Sequence, residues 1–277
     1  MTGLILNYLN LAELSPVQTV TAAGKGGFRA VGIRLTGHAP GENEPGVVGN
    51  QQQLNELKQA ASASGVGISV LSTYRILSDR KLDDFLPVIE AAESLGIPTM
   101  AINCFDRDER HAIDLIARIA AAARPAGITV ALEFIPVSAI KTIQDATRVM
   151  QATCAPNVGI NVDALHLQRS GGKPADIAAV PPQLIKSVHL CDAPLAPPAD
   201  LVAEMRAGRL YPGEGGLPLF EILDSAPADV EIEIEVPNAA RAGLPPEERA
   251  ARAHRAGVRF LEGYAQHRGR APAAGGT

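Results

Sequence analysis

The chain has 277 residues, of which 46% are hydrophobic and 20% are charged, and its formal net charge is −5. This length fits one large α/β domain or two small ones, and the apolar content is sufficient for a substantial core. The negative net charge, with no basic stripe, argues against nucleic-acid binding. No apolar run approaches the roughly 18 residues that a membrane span needs.

The termini and the cysteines favour a cytoplasmic protein. The first residues lack the basic start and the small-residue cleavage site of a secretory leader, so we expect no leader. Cys104, Cys154 and Cys191 show no CxxC spacing and are expected to be reduced. The segment 270–277, RAPAAGGT, has the composition of a disordered tail that follows a domain covering residues 1–269.

Apolar runs alternate with amphipathic stretches along the chain, and helix signals separate them. Ser15, followed by a proline, and Asn50 are expected to begin helices, and Gly65 to end one. Asp106 is expected to cap a later, alanine-rich helix. The apolar runs predict buried strands at residues 4–8, 30–35, 66–72, 99–103, 129–134, 158–163, 184–190 and 230–236.

The order of these elements indicates the fold class. Eight strands that alternate with helices in units of about 30–35 residues are typical of a closed parallel barrel, which usually has ~250 residues. We therefore predict an α/β protein with a single-domain (β/α)8 TIM barrel. An open doubly wound sheet is the alternative. It is weakened by the strand count and by the lack of a GxGxxG turn after the first strand.

Polar, metal-capable residues lie at or near the ends of four consecutive predicted strands: Glu133, Asp163, His189 and Glu235. In a parallel barrel these ends lie on the face where active sites form, so the four side chains could converge. One such aspartate more often caps a helix, and one buried histidine is more often simply hydrogen-bonded. Four on adjacent strands favour a site for one divalent ion, with Mn²⁺, Mg²⁺, Co²⁺ and Zn²⁺ all open.

The last predicted strand carries alternating glutamates that point to one face, which we take as the barrel interior. Glu235 is nearest the carboxyl end and is the expected ligand. Glu233 would lie one layer deeper and need a buried partner, for which Arg34 is a candidate. Glu231 would lie at the bottom of the barrel in a structural role.

Other residues near the predicted strand ends are candidates for the pocket. His166, three residues after Asp163, is expected to contact substrate, with capping of the next loop as the alternative. Arg209, in the segment before the PGEGG turn, is expected to reach the mouth of the site and bind substrate, as could Glu214. Further candidates for the pocket lining follow strands two to four: His38 and Tyr74, which we assign to substrate binding, and Arg75, Asn103 and Phe105.

At these residues the chain resembles the xylose isomerase-like TIM-barrel superfamily, which includes sugar phosphate isomerases and epimerases. The segments that carry the resemblance occur in the family's order: ALEF, VDALH, SVHLCD, RLYPGEGGLPL and EIEVPN. The resemblance extends over essentially the whole chain before the tail. Its motifs are specific for the superfamily but not for a substrate.

The resemblance implies that the four strand-end residues, Glu133, Asp163, His189 and Glu235, are the metal ligands. In the epimerase branch, the residues that match Glu133 and Glu235 also transfer protons on opposite faces of the substrate. Those epimerases have an arginine six residues after the histidine ligand, where this chain has Leu195. The HLCDAP segment and its proline-rich loop are closer to the inosose isomerase and dehydratase and 3-dehydroshikimate dehydratase branch.

Together these features predict a metal-dependent isomerase or epimerase of a sugar, a sugar phosphate or a keto-inositol. A small polyhydroxy ketone would lose the proton beside its carbonyl to give an enediolate. A metal-dependent dehydratase, of the 3-dehydroshikimate or inosose type, is the alternative and would share that first step. A non-catalytic sugar-binding barrel is a third reading, and homo-oligomerisation stays open.

A DNA-repair enzyme like endonuclease IV is disfavoured. That pattern needs additional histidine ligands after the third and fourth strands. The corresponding positions hold other residues here: Ser72, Thr73, Tyr74, Asn103 and Cys104.

Overall fold

The computed structural model describes residues 3–37 and 46–270. Within these residues, eight parallel strands close into a barrel in which each strand pairs with its neighbours in the chain and the last pairs with the first. The predicted (β/α)8 fold is confirmed. The strands are β1 (Ile5–Leu6), β2 (Ala30–Ile33), β3 (Gly67–Ile76), β4 (Thr99–Cys104), β5 (Thr129–Glu133), β6 (Val158–Asp163), β7 (Ile185–Leu190) and β8 (Glu231–Ile234).

Helices surround the barrel and bury their apolar faces together with those of the strands in one hydrophobic core. The α-helices are α1 (Pro16–Lys25), α2 (Gln51–Ser64), α3 (Leu86–Leu95), α4 (Glu109–Ala123), α5 (Ile143–Ala152), α6 (Ala164–Arg169), α7 (Pro174–Ala178), α8 (Leu201–Ala207), α9 (Leu219–Ser225) and α10 (Pro246–Arg270). In the described part of the chain, no helix combines the length and the apolar character that crossing a bilayer requires.

The helix ends follow the local sequence signals in most places. Ser15 forms a capping box with Gln18 at the start of α1, and Gly65 ends the backbone of α2 in the left-handed region at φ 62°. The prediction for Asp106 was wrong. Asp108, directly before α4, accepts the hydrogen bonds that cap the helix, while Asp106 accepts from the backbone N–H of Asp108.

The barrel interior is polar towards the carboxyl ends of the strands. Asn7, Asn161, Ser187 and Glu233 are all buried there, at 2% exposure or less. Parallel registration places Asp163 beside His189 and His189 beside Glu233, so the polar groups of β6, β7 and β8 are neighbours. Helix α10 continues to Arg270, and the predicted tail beyond it, residues 271–277, lies outside the described residues.

Candidate metal centre and active site

Four buried side chains meet at the carboxyl ends of β5 to β8. One ligand atom from each of these residues lies within 4.8 Å of the others: Glu133, Asp163, His189 and Glu235. Glu133 and Asp163 are the last residues of their strands, and His189 is the second-last residue of β7. Glu235 directly follows β8, where its backbone N–H donates to the Leu190 carbonyl at 3.1 Å. The structure therefore brings together the four residues that the sequence singled out.

The imidazole of His189 is the centre of this cluster. Its Nδ1 lies 2.9 Å from Glu235 Oε2, 3.1 Å from Glu133 Oε1 and 3.9 Å from Asp163 Oδ2. One ring N–H cannot satisfy three carboxylates at once, because it carries a single proton. The arrangement leaves oxygen donors from three strands and one ring nitrogen directed at a common point.

The charges of the cluster fit a divalent cation. Burial lowers the pKa of His189, but the facing carboxylates, Glu233 and Glu133 foremost, outweigh it and hold that pKa well above its ordinary value. The cluster thus stabilises positive charge at its centre. Three carboxylates and one imidazole are also ligands that Mn²⁺, Mg²⁺, Co²⁺ and Zn²⁺ accept. The residues present fit such an ion, with Glu133, Asp163, His189 and Glu235 as the groups that would hold it.

The carboxylates of the cluster differ in electrostatic environment. Burial raises the pKa of Glu235, and the nearby Arg209 guanidinium offsets this only in part. Burial also acts to raise the pKa of Glu133, but hydrogen bonding to His189 and its charge outweigh it and lower that pKa. For Asp163, burial acts to raise the pKa, but the charges of Arg209, His166 and His189 together outweigh it and lower that pKa. Environments that separate the pKa values of neighbouring carboxyl groups are a feature of acid–base sites.

Arg209 is buried inside the cluster rather than at the mouth of the site, where it was expected. Its side chain is 1% exposed, and Nη1 lies 2.5 Å from Asp163 Oδ2 and 3.5 Å from Glu235 Oε2. Its Nε donates to the Met205 carbonyl at 2.9 Å. The guanidinium borders the cavity but is already paired with Asp163, which compensates the charge of that aspartate.

Glu233 contacts the opposite edge of the His189 ring. Its Oε1 lies 3.3 Å from His189 Nε2, and its Oε2 accepts from Asn7 Nδ2 at 2.9 Å. The prediction that Arg34 would pair with Glu233 was wrong: the Arg34 Nε donates to the Thr36 carbonyl at 2.9 Å. Glu233, held by Asn7, thus places a negative charge beside Nε2, while Nδ1 faces the other three carboxylates.

Asp163 combines the two roles that the sequence left open. Its Oδ1 accepts from the backbone N–H of His166 at 2.8 Å and so caps α6, while Oδ2 faces the cluster. The His166 ring lines the cavity above the cluster. Its Nδ1 is buried 3.9 Å from Asp163 Oδ1, without a hydrogen-bond partner among the described residues.

The cluster forms the floor of a cavity of about 610 Å³. Asn103 and Phe105 line it, in the positions where the sequence placed them. Tyr74 does not, and this prediction was wrong, because side chains alternate along β3 and Tyr74 points to the face opposite Thr73 and Arg75. Thr73 and Arg75 point to the cavity instead, whereas the Tyr74 hydroxyl accepts from the Leu35 N–H at 3.4 Å.

Several cavity residues escaped the sequence reasoning. Tyr8 lies two residues after β1, and Arg34 directly follows β2. Both line the cavity together with Arg206 of α8. Position after a strand was a usable signal for Tyr8, whereas Arg206 lies on a loop helix with no such signal. A neighbouring cavity of about 650 Å³ shares Tyr8 and Arg34, but none of the clustered groups is among its lining residues in the described chain. His38 lies outside the described residues.

The loop after β7 has a structural anchor. Asp192 accepts from the backbone N–H groups of Gly213 and Leu217, each at 3.0 Å, and so fixes the PGEGG turn. Leu195 is 61% exposed, and Glu214 lies 3.5 Å from Arg241 rather than at the cavity. These positions hold the loop and do not contribute side chains to the cavity.

Residues 20–263 match the protein family described as the xylose isomerase-like TIM barrel. The chain belongs to this family. The inosose isomerase of Halalkalibacterium halodurans is 26% identical over 187 residues, which cover 61% of this chain. The match spans 65% of that relative, slightly less than two thirds of its length.

Solved structures of xylose isomerase-like barrels show the same architecture. The IOLI protein with a bound zinc atom has a TM-score of 0.80 at 17% identity, over 95% of this chain and 99% of that one. D-psicose 3-epimerase from Clostridium cellulolyticum H10, solved with D-tagatose, has a TM-score of 0.73 at 15% identity, over 94% of this chain and 99% of that one. At these identities the matches establish the shared fold.

Proposed function

We propose that this barrel is a divalent-metal-dependent isomerase or epimerase of a sugar, a sugar phosphate or a keto-cyclitol. The observation that carries the proposal is the buried cluster of three carboxylates and one imidazole on the floor of an open cavity. The inosose isomerase relative and the epimerase of the same fold support this class of reaction. The reaction would be proton transfer at the carbon beside a carbonyl group.

The chain's own residues provide the proton-transfer groups. Glu133 and Glu235 approach His189 Nδ1 from two different strands and both line the cavity. One carboxylate would remove the proton from the α-carbon, and the other would return a proton to the resulting enediolate. When bound, a divalent ion would supply electrostatic stabilisation of the negative charge on the substrate oxygen. His166, whose side chain lines the cavity, would hold a substrate hydroxyl.

Hydrogen exchange in D₂O tests this proposal without knowledge of the final product. Protein loaded with Mn²⁺ is incubated with ketoses, ketose phosphates and keto-inositols, and NMR follows deuterium entry at the α-carbon. We expect exchange with at least one compound, and Glu133→Gln and Glu235→Gln should each slow it by about 10²- to 10⁴-fold. The matched control is Glu214→Gln, at a carboxylate outside the cavity. Unchanged exchange in either site variant, or no exchange with any compound, contradicts the proposal.

A dehydratase of the 3-dehydroshikimate or inosose type is the second candidate. The arginines that line the cavity, Arg34, Arg75 and Arg206, favour its 3-dehydroshikimate form, because that substrate carries a carboxylate and an inosose does not. The enzyme would remove the same α-proton and then expel a β-hydroxyl, so the product would gain a conjugated double bond. Ultraviolet absorbance that rises with turnover supports the dehydratase, and exchange without absorbance supports the isomerase.

A further inference from the structure

Three arginines line the wall of the cavity above the acidic cluster. Arg34 follows β2, Arg75 is on β3 and Arg206 is near the end of α8, so the groups come from separate parts of the chain. Arg34 and Arg75 are half-buried, whereas Arg206 is exposed. The cavity therefore has an acidic floor and a cationic wall.

These arginines have no carboxylate partner among the described residues. The Arg34 Nε donates to the Thr36 carbonyl, and its guanidinium carbon lies 5.9 Å from the Tyr8 ring centre. The Arg75 guanidinium lies 5.2 Å from the ring centre of Phe105, and its Nε is buried without a hydrogen-bond partner in the described part of the chain. Aromatic faces and one carbonyl hold Arg34 and Arg75 in place without neutralising them.

The three cations also act on one another. Burial lowers the pKa of Arg75, and the positive charges of Arg206 and Arg34 lower it further. Bringing like charges together costs free energy unless an anion offsets the repulsion. The arrangement is notable in a chain whose net charge is −5, since carboxylates to pair with the arginines are abundant elsewhere in the sequence.

The acidic floor does not need these cations for its own charge balance. Its four carboxylates belong to Glu133, Asp163, Glu233 and Glu235. A divalent ion and the buried Arg209 would balance them to within one charge. The charge of Arg34, Arg75 and Arg206 then remains available to a ligand in the cavity.

We propose that Arg34, Arg75 and Arg206 form a subsite for an anionic group, a carboxylate or a phosphate, carried by the substrate. This inference rests on the proposed function and narrows its substrate class to acidic polyhydroxy ketones. Guanidinium groups bind both anions through paired N–H donors. A neutral ketose would offer these cations only uncharged acceptors, so it would gain less from them than a carboxylate or a phosphate does.

Anion binding tests the subsite independently of any reaction. Inorganic phosphate and glycerate are titrated calorimetrically into the protein, both loaded with Mn²⁺ and stripped of metal, so that binding to the ion is separated from binding to the arginines. We expect one of the two probes to bind in both states, and Arg75→Gln to weaken it by about 10-fold or more. The control, Arg259→Gln, removes the same charge from an exposed position on α10.

The relative affinity of the two probes distinguishes a phosphate subsite from a carboxylate subsite. Binding by neither probe, or equal binding by wild-type and Arg75→Gln protein, overturns the inference.

A matched exchange assay in D₂O then compares a neutral ketose, its phosphate ester and a hydroxylated keto acid. We expect a charged compound to have a kcat/KM at least about 10-fold above the neutral one, a preference that Arg75→Gln removes.

The two assays separate this inference from the proposed function. Arginine-dependent anion binding without exchange of any compound supports the subsite and contradicts the isomerase. Fast exchange of the neutral ketose that is unaffected by Arg75→Gln supports the isomerase and contradicts the subsite.

Discussion

The two halves of the barrel carry opposite charge at the same end. Strands β5 to β8 supply the buried acids and the imidazole, whereas the ends of β1 to β3 supply Tyr8, Arg34 and Arg75. The acidic half is buried at the cavity floor, and its charged groups contact one another. The cationic half is open to the cavity, and its guanidinium groups have no acidic partner in the described chain.

The difference in charge suits the two halves to different tasks, ion binding and substrate binding. Buried like charges are tolerated only where a counter-charge is fixed among them, and a bound ion can provide that counter-charge. Unpaired cations on a half-exposed wall cost less free energy than buried ones, and they are available to bind a ligand. We infer that the β5–β8 half holds the ion, and that Arg34 and Arg75 of the other half, together with Arg206 of α8, bind the anionic group of the substrate.

Replacing Arg209, the cation buried among the acids of the β5–β8 half, should have the largest effect on stability. Arg209→Gln leaves Asp163 as an uncompensated buried charge, so the free energy of unfolding of metal-free protein should fall by about 3–5 kcal/mol. In Mn²⁺-loaded protein the loss should be smaller, because the ion supplies positive charge at the same carboxylates. Urea unfolding with and without the ion measures both values. Arg259→Gln is the exposed control, and an equal loss in the two states would contradict this account.

Removing the central imidazole should have the next largest effect. His189→Ala deletes the nitrogen ligand, and we expect affinity for Mn²⁺ to fall by at least about 100-fold, the upper range for loss of an outer partner. Competition with a chelating dye measures the affinity. His267→Ala, at an exposed position on α10, is the matched control. Tight binding in the His189 variant would show that the ion lies elsewhere.

Removing the charge of Glu233, which lies beside the His189 ring, should have an intermediate effect on Mn²⁺ affinity. Glu233 touches His189 Nε2 but faces away from the ligand cluster, so Glu233→Gln should weaken Mn²⁺ binding by about 10- to 100-fold. Glu233→Asp should restore part of the affinity, because it keeps the charge. Glu231→Gln, two residues earlier on the same strand, should not alter metal affinity. Equal losses in the Glu231 and Glu233 variants would point to a general structural effect.

The smallest effect is expected at Tyr74, on the cationic half but turned away from the cavity. Tyr74→Phe removes one hydroxyl that accepts from Leu35 N, so stability should fall by no more than about 1.5 kcal/mol. Its affinity for phosphate or glycerate should equal that of the wild type, in contrast to Arg75→Gln. Reduced anion affinity in the Tyr74 variant would place its ring in the pocket after all.

The acidic half was readable from the sequence because its signals are local and mutually consistent. An ionisable residue at the end of an apolar run is unusual, and Asp163 and His189 repeat that pattern on neighbouring strands. Alternation also located Glu233 correctly on the interior face of β8. The metal role of these residues stays a prediction that the geometry supports.

The cationic half was less readable because its contacts are not local. The three arginines of the cavity wall come from the end of β2, from β3 and from α8, so no spacing rule connects them. The sequence named both Tyr74 and Arg75 as candidates for the pocket lining and could not tell which of these neighbours faces the cavity; only Arg75 does. Arg206 has no sequence signal, since exposed arginines on helices are common.

A crystal structure of Mn²⁺-soaked protein, with anomalous diffraction at the manganese edge, tests the central claim most directly. We predict one strong peak on the cavity floor, about 2.0–2.3 Å from Glu133, Asp163, His189 Nδ1 and Glu235, a range set by common ligand distances. A peak that lies elsewhere, or the absence of a peak at these side chains in saturating Mn²⁺, would contradict the account.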